Sequence, residues 1–299
     1  SLIEIILVND GSTPENSKLY NELASKYNHV NVYNKKNEGV SVARNFGVKK
    51  SSGEYICFID ADDIVTPNFF SEAIGIINNK AADIVIGNIR IDQNRCLCNI
   101  LENTDFYNIN DALKALLAGM SSVKSPNRIK LSGSPCGRIF AKSIVEYLDF
   151  DKDVHFYEDQ LYNIKAFRNA NKISITSSIW YIYNQNDFSA IHSRFTNDQA
   201  RLLIPFFDKL LELINDNRYE DIRDDLIIYG LDILINSYKY IWGDELKSIE
   251  KKSTLKKLNK SKFVKFLQHE NIKACNLSRR EWIKYIIIKL HIQKLIKFL

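Results

Sequence analysis

Long apolar runs are missing from this 299-residue chain, and with no stretch of about 18 consecutive apolar residues a bilayer-spanning helix is not expected. Cysteine is scarce and odd in number. Among the five, Cys96 and Cys98 form a close pair, but no second pair stands at a zinc-site distance. That argues against a sulfur-bound metal and for reduced thiols in a cytosolic protein. The sequence has one methionine and five prolines, no signal-peptide pattern, no internal repeat and no low-complexity tract. It also lacks an initiator methionine and opens almost inside an apolar segment, which reads as a fragment.

What is present is ordinary globular composition, 45% hydrophobic and 26% charged, enough for one large domain or a domain with a helical appendage. The net charge of +5 is unevenly spread. Residues 245–299 hold 15 Lys/Arg against 4 Asp/Glu (net +11), leaving 26 against 32 elsewhere (net −6). An acidic body with a basic tail points to an anionic surface as partner. The tail carries no base-reading motif, so nucleic acid is not expected there.

The first hundred residues alternate between strand and helix patterns. Strands are predicted near Ile3–Val8, Val30–Tyr33, Tyr55–Ile59 and Asp83–Asn88, and helices near Glu15–Tyr27, Val40–Lys50 and Asn68–Asn79. Pro14 and Pro67 suit first helical turns. This order predicts an α/β fold with a mostly parallel sheet. Residues 89–135 are irregular apart from a helix near Asn110–Ala118. A short helix is expected at Lys142–Leu148, a longer one from Glu158 to Asn169, and a strand or strand pair over Ile173–Tyr183. Everything after Thr196 reads as helical: Asn197–Ile214, Ile222–Trp242, Leu246–Leu258, Lys262–His269 and Arg279–Phe298.

The richest local pattern is Tyr55-Ile56-Cys57-Phe58-Ile59-Asp60-Ala61-Asp62-Asp63, a short apolar run followed by three carboxylates in four residues. Strand ends are where ligands bind in open α/β sheets. Clustered hard oxygens suit Mg²⁺ or Mn²⁺, held by one or two carboxylates plus substrate phosphates. Alternatively Asp62 or Asp63 caps the helix that begins near Pro67. Upstream, Asp10 ends another apolar strand before Gly11-Ser12; it could accept an imide N–H or simply form an Asp-Gly turn. Arg44, in Ala43-Arg44-Asn45-Phe46-Gly47, could pair with a phosphate or form a structural ion pair. Glu158-Asp159 is either a catalytic acidic pair or a helix start favoured by the macrodipole.

Together, and in this order, these segments resemble the family 2 glycosyltransferases of GT-A fold, bacterial enzymes that build surface polysaccharides from nucleotide-sugars. The resemblance covers roughly the first two thirds of the chain. It implies a nucleotide-diphospho-sugar transferase domain over residues 1–195 and a helical region over 196–299. By the same resemblance Asp10 contacts the nucleotide base, Asp60 reaches toward the ribose, and Asp62 ligates Mg²⁺ or Mn²⁺. Asp159 becomes the base of an inverting transfer, with Glu158 supporting it and Arg44 beside the donor site. The donor would be a UDP-sugar, the acceptor a glycan or lipid-linked saccharide, and the location the cytoplasm, at the inner membrane face.

Two departures qualify the resemblance. Family members carry an additional strand and helix before the segment equivalent to Ile3–Val8, and their arginine near position 184 is Asn184 here. A non-catalytic nucleotide-sugar or partner-binding relative is therefore the second reading. Trp180, Tyr181 and Tyr183 suggest an aromatic wall, with Gln185, Ser189 and His192 on an adjoining loop; His155 and His192 could touch phosphate or acceptor. Over 279–299, apolar residues at helical spacing alternate with lysines and arginines, which suits either an interfacial helix on anionic lipid or a core or dimer helix.

Overall fold

The apolar run Ile5–Asp10 forms strand β1, and the β-branched run Val30–Lys35 pairs with it in parallel as β2. Helix α1 (Pro14–Lys26) joins them; Thr13 caps it by accepting from the Asn16 amide, and Pro14 occupies its first turn. Helix α2 (Val40–Lys50) follows β2. In the computed structural model the described residues are 3–92, 95–184, 199–243, 248–270 and 277–290.

The remaining strands form a six-stranded sheet to which the β1–β2 ladder is not hydrogen-bonded. Its path runs β3 (Tyr55–Ile56), β7 (Arg138–Ala141), β5 (Ile84–Arg90), β8 (Ile173–Ile182) and β4 (Ile64–Val65), with β6 (Thr104–Phe106) also on β8. The sheet is mixed, a correction to the mostly parallel arrangement expected. Among the strand pairs of the described residues, β1–β2 and β5–β8 are parallel, while the β3–β7, β5–β7, β4–β8 and β6–β8 pairs are antiparallel. The reason is β7, which inserts antiparallel between β3 and β5. At four residues it is too short to show a period-two pattern. The strand expected to run to Ile59 stops at Ile56, continued by an isolated bridge from Phe58 to Cys136.

Strand β5 is buried on both faces, and its alternation sorts the core. Val85 faces α3 (Phe69–Lys80) with Phe69, Ala73, Ile77 and Trp180. Ile84 and Ile86 face the larger cluster, which includes residues of α4 (Ile109–Leu117), α6 (Glu158–Asn169), α7 (Gln199–Ile214) and α8 (Arg223–Gly243). A short α5 (Lys142–Val145) follows β7. The cluster continues through α9 (Ser248–Asn259), α10 (Lys262–His269) and α11 (Arg279–Lys289), so the helical region shares one core with the sheet. The boundary expected at residue 195 lies outside the described residues.

Helix α11 corrects the interfacial reading for its described length. Ser278 and Glu281 form a capping box at its start. Tyr285, Ile287 and Ile288 are buried in the core cluster. Lys284, one of the cations that the interfacial alternative would turn toward lipid, is buried and bonded to Asp232 of α8, which also accepts from the Ser122 amide at 2.7 Å. Lys289 donates to the Glu270 carbonyl at 3.1 Å. The apolar side is occupied by protein because α8 and α10 present matching apolar faces. Residues 291–299 lie outside the described residues. Among the described residues no helix is long and apolar enough to cross a membrane.

Candidate active site

Helix α2 links the proposed site residues. At its start Gly39 adopts φ +93°, open to glycine but strained for other residues, and this turns its N–H toward β1. Asp10 accepts that N–H at 2.7 Å, the Glu38 N–H at 3.1 Å and the Lys35 ammonium at 2.5 Å. Partial burial pushes its carboxyl up, but Lys35 and the two amides outweigh this and hold it below the ordinary range. In this structure both Asp10 oxygens are engaged by the chain itself.

Five residues along α2, about 7.5 Å by helical rise, Arg44 reaches two acidic segments at once. Its Nη2 lies 2.8 Å from Asp60 Oδ1, its Nη1 lies 3.9 Å from Glu158 Oε1, and the guanidinium sits 5.3 Å from the centre of the Phe150 ring. The ion-pair alternative for Arg44 is thus realised. Asn45 makes a two-way bond with the Phe150 backbone, accepting its N–H and donating to its carbonyl, both at 2.8 Å. That bond fixes the segment leading to Glu158 against α2.

The acidic turn follows Phe58 and closes with a bond from the Asp63 amide to the Asp60 carbonyl. Its backbone is tied to the end of β8. The Asp60 N–H donates to the Tyr181 hydroxyl at 3.0 Å, and Asp63 Oδ1 accepts the Asn184 N–H at 2.8 Å. Asp62 is exposed at the turn. The capping alternative does not hold: α3 starts after Asn68, whose side chain makes no cap bond, while Asp63 is committed to Asn184. The aromatic wall is corrected as well. Trp180 is fully buried beneath α3 with its indole N–H on Glu72, and Tyr181 is a buried support of the turn. Gln185, Ser189 and His192 lie outside the described residues; His155 is exposed.

Glu158 and Asp159 open α6. The residue before them, Tyr157, is left-handed at φ 64°, a conformation costing roughly 1–3 kcal/mol for a non-glycine residue and typical of functional sites. Its ring packs 4.9 Å from Phe206 of α7, so the helical region holds the strained residue in place. Burial pushes both carboxyls up, and the charge of Asp159 raises Glu158 further; Arg44 opposes this for both, and Arg138 and the Gln160 amide for Asp159. The Gln160 amide donates to Asp159 Oδ1 at 2.7 Å, and the Tyr229 hydroxyl of α8 steadies the Gln160 side chain at 2.9 Å.

Arg44 therefore brings Asp60 and Glu158 together, with Asp62 two residues after the first and Asp159 directly after the second. Asp10 stands at the start of the same helical segment, held by Lys35, Glu38 and Gly39. Sequence reasoning gave no role to Tyr157 or Arg138 and read Tyr181 as part of a wall instead of a support of the turn. The roles of Tyr157 and Tyr181 leave no local signal, because backbone strain and a contact 121 residues away are tertiary facts. Arg138 does leave a trace, as a cation inside the otherwise apolar run Cys136–Ala141.

For a divalent metal, the chain offers three carboxylates in one turn with one adjacent guanidinium. Asp63 Oδ2 is buried without a hydrogen-bond partner, and burial together with the charges of Asp62 and Asp60 raises that carboxyl. Among the described residues no three His, Cys, Asp or Glu side chains form a closed metal cage. This donor set fits a hard cation whose shell is completed by phosphate oxygens and water.

Residues 1–100 match the family described as "Glycosyl transferase family 2". Glycosyltransferase GlyG of Streptococcus pneumoniae is 25% identical over 249 residues, 80% of this chain and 76% of that protein. The minor teichoic acid biosynthesis protein GgaB of Bacillus subtilis is 28% identical over 223 residues, 72% of this chain but 23% of its own length. Among solved structures, S. aureus TarS 1–349 in complex with UDP-GlcNAc superposes with a TM-score of 0.69 at 18% identity, covering 99% of this chain and 81% of that one. The ordered motifs, the sheet with its helical region and these likenesses agree with a GT-A fold whose first hundred residues match glycosyl transferase family 2.

Proposed function

We propose that this chain is a family 2 glycosyltransferase that moves a sugar from a UDP-type donor to a hydroxyl of a glycan or lipid-linked acceptor, with inversion, in surface polysaccharide assembly. One observation carries the reading: Arg44 contacts both the Asp60 turn and the Glu158-Asp159 pair. Transfer needs the departing diphosphate and the attacking hydroxyl at one anomeric carbon, so the donor-side acids and the base must adjoin. TarS in complex with UDP-GlcNAc supports a uridine diphosphate donor.

Asp159 takes the proton from the acceptor hydroxyl as that oxygen attacks C1 and the bond from C1 to the diphosphate oxygen breaks. Glu158 shares the proton load of the pair. Asp62 would hold Mg²⁺ or Mn²⁺ against the diphosphate; when bound, the ion offsets charge on the leaving group. Asp60, pinned by Arg44 and Tyr181, orients the turn toward the ribose, and Asp10 lies beside the base. Residues 1–195 carry this machinery, and residues 196–299 brace it through Phe206 and Tyr229.

Work at the inner face of the cell membrane would follow from a lipid-linked acceptor. The exposed Lys252, Lys256, Lys257, Lys260 and Lys265 of the α9–α10 segment are better placed to meet anionic lipid than α11, whose apolar side is covered. Sedimentation with anionic and neutral vesicles at two salt concentrations tests this; equal recovery with both compositions removes it.

The second reading, a non-catalytic binder, is favoured by the engagement of both Asp10 oxygens within the chain. A panel of nucleotide-sugars, assayed for donor hydrolysis and transfer with Mn²⁺, Mg²⁺ or chelator, separates the two. Expected are metal-dependent turnover of a UDP-sugar and a product of inverted anomeric configuration. Donor binding without turnover of any donor would favour the second reading, and a retained configuration would refute the role of Asp159.

A further inference from the structure

Residues 112–145 contain six Lys or Arg and not one Asp or Glu, inside residues 1–244, whose net charge is −6. Three of the six are engaged. Lys114 pairs with Asp225 at 3.7 Å, Arg138 is fully buried, and Lys142 donates to the Ser51 carbonyl at 2.6 Å. The other three, Lys124, Arg128 and Lys130, lie exposed on the loop between α4 and β7, and among the described residues none of them pairs with a carboxylate. Cations gathered without counter-charges raise the local potential and attract anions.

The fold ties both ends of this loop to the residue that follows Asp159. At its start Met120 Sδ accepts from Gln160 Nε2. At its end Gly133 lies so close against the Gln160 side chain that any Cβ there would collide, and its carbonyl accepts from Asn163 at 2.5 Å. Asp232 of α8 holds the Ser122 amide at 2.7 Å. Since a chain spans at most about 3.6 Å per residue, Lys124 stands within about 14 Å of Met120, and Lys130 within about 11 Å of Gly133. Between them Asn127 and Arg128 are both left-handed, at φ 52° and 58°. Adjacent side-chain-bearing residues in that region are strained, and such strain clusters at ligand clamps.

We propose that residues 122–130 form an anion site on the acceptor side, where Lys124, Arg128 and Lys130 take a phosphate group that the acceptor carries away from the hydroxyl meeting Asp159. The Arg128 fork suits two phosphate oxygens at once, and the lysines add point charges. The site rests on the proposed transfer reaction for the part that phosphate plays, but not for the binding itself. A phosphate ester of a lipid-linked saccharide and a phosphodiester within a glycan offer the same anionic oxygens to these three side chains. The loop so defines a substrate class: acceptors that bear phosphate, in preference to the same saccharides without it.

The direct test is titration of the full chain, free of divalent metal, with inorganic tripolyphosphate, followed through backbone amide NMR shifts. The amides of residues 122–130 should shift to saturation. In the triple variant Lys124→Gln, Arg128→Gln, Lys130→Gln, all at exposed positions, that affinity should fall about tenfold or more. Each lysine variant alone should weaken it by a smaller step. Replacing Lys252, Lys256 and Lys257 by Gln should leave the loop affinity within about twofold at about 0.15 M salt, where distant charges are screened. Loop amides that do not shift, or a triple variant that binds like the unaltered chain, overturn the proposal. Equal weakening in the α9 variant overturns it too, since that marks only the attraction of a basic protein for any anion. In transfer assays the triple variant should raise acceptor KM about fivefold or more while donor KM stays within about twofold. A saccharide joined through diphosphate to a short lipid and a glycan with internal phosphodiesters are compared with the phosphate-free saccharide. The acceptor whose KM rises identifies the source of the phosphate, and a rise with neither overturns the acceptor role. Absence of any transfer while the loop binds tripolyphosphate would sink the proposed function and leave the anion site standing.

Discussion

Asp10 and Asp159 are the same residue beside two helix starts, and their surroundings treat them oppositely. Asp10 is satisfied: two backbone amides and Lys35 hold it ionised and low. Asp159 is pushed up by burial, against the Gln160 amide and the charges of Arg44 and Arg138. A carboxylate held by a full set of donors is suited to fixing a loop, whereas one raised by burial retains basicity for a reaction. The difference separates an acid committed to the scaffold from the one assigned to the proposed reaction.

The strongest way to break that contrast is Asp159→Asn. A general base contributes about 10²–10⁴-fold, so transfer should fall by at least roughly a hundredfold while calorimetric donor binding is retained. If transfer persists near the unaltered rate, Asp159 is not the base. Next in size is Lys284→Met, which strands Asp232 inside the helical region. Leaving one buried ion without its partner costs about 3–5 kcal/mol, to be read as a lowered urea midpoint. Vesicle recovery should not change, because Lys284 faces protein.

The pH dependence sharpens the comparison through its sign. For Asp10, held low in the fold, the stabilisation is present above about pH 4, its unfolded range, and is lost as pH falls through the lower folded value. For Glu158 and Asp159, held high, the favourable state is the protonated one. Their contribution is greatest below about pH 4 and is lost as pH rises toward the raised folded values. Glu158→Gln should therefore raise the thermal midpoint at neutral pH, and Asp10→Asn should lower it there and flatten the acid limb. Opposite outcomes would mean that the two environments have been assigned the wrong way round. The smallest effect is expected from Asn45→Ala. It removes the paired bond to Phe150 and costs about 1–3 kcal/mol, with transfer reduced through a less well-held Glu158-Asp159 segment.

The chain order of acids, glycines and apolar runs was enough to place β1, α2, α6 and α10 within a residue or two, because each has a long periodic pattern or a clear cap. It also singled out Arg44, the Asp60 turn and Glu158-Asp159, which the fold brings to one place. Strands β4, β6 and β7 were illegible, being two to four residues long and stabilised by partners far away in sequence. The basic amphipathic pattern of α11 pointed to lipid as readily as to core. Periodicity shows that a face is apolar without saying what covers it.

The sequence alone therefore determined the kind of chemistry, since carboxylates, an arginine and glycine turns are covalent facts read in order. Only the tertiary structure decided how those carboxylates differ. Their proton affinities depend on burial and on charges brought close by folding: Arg44 from another helix, Arg138 from a strand too short to foresee, and Lys35 across a parallel pair.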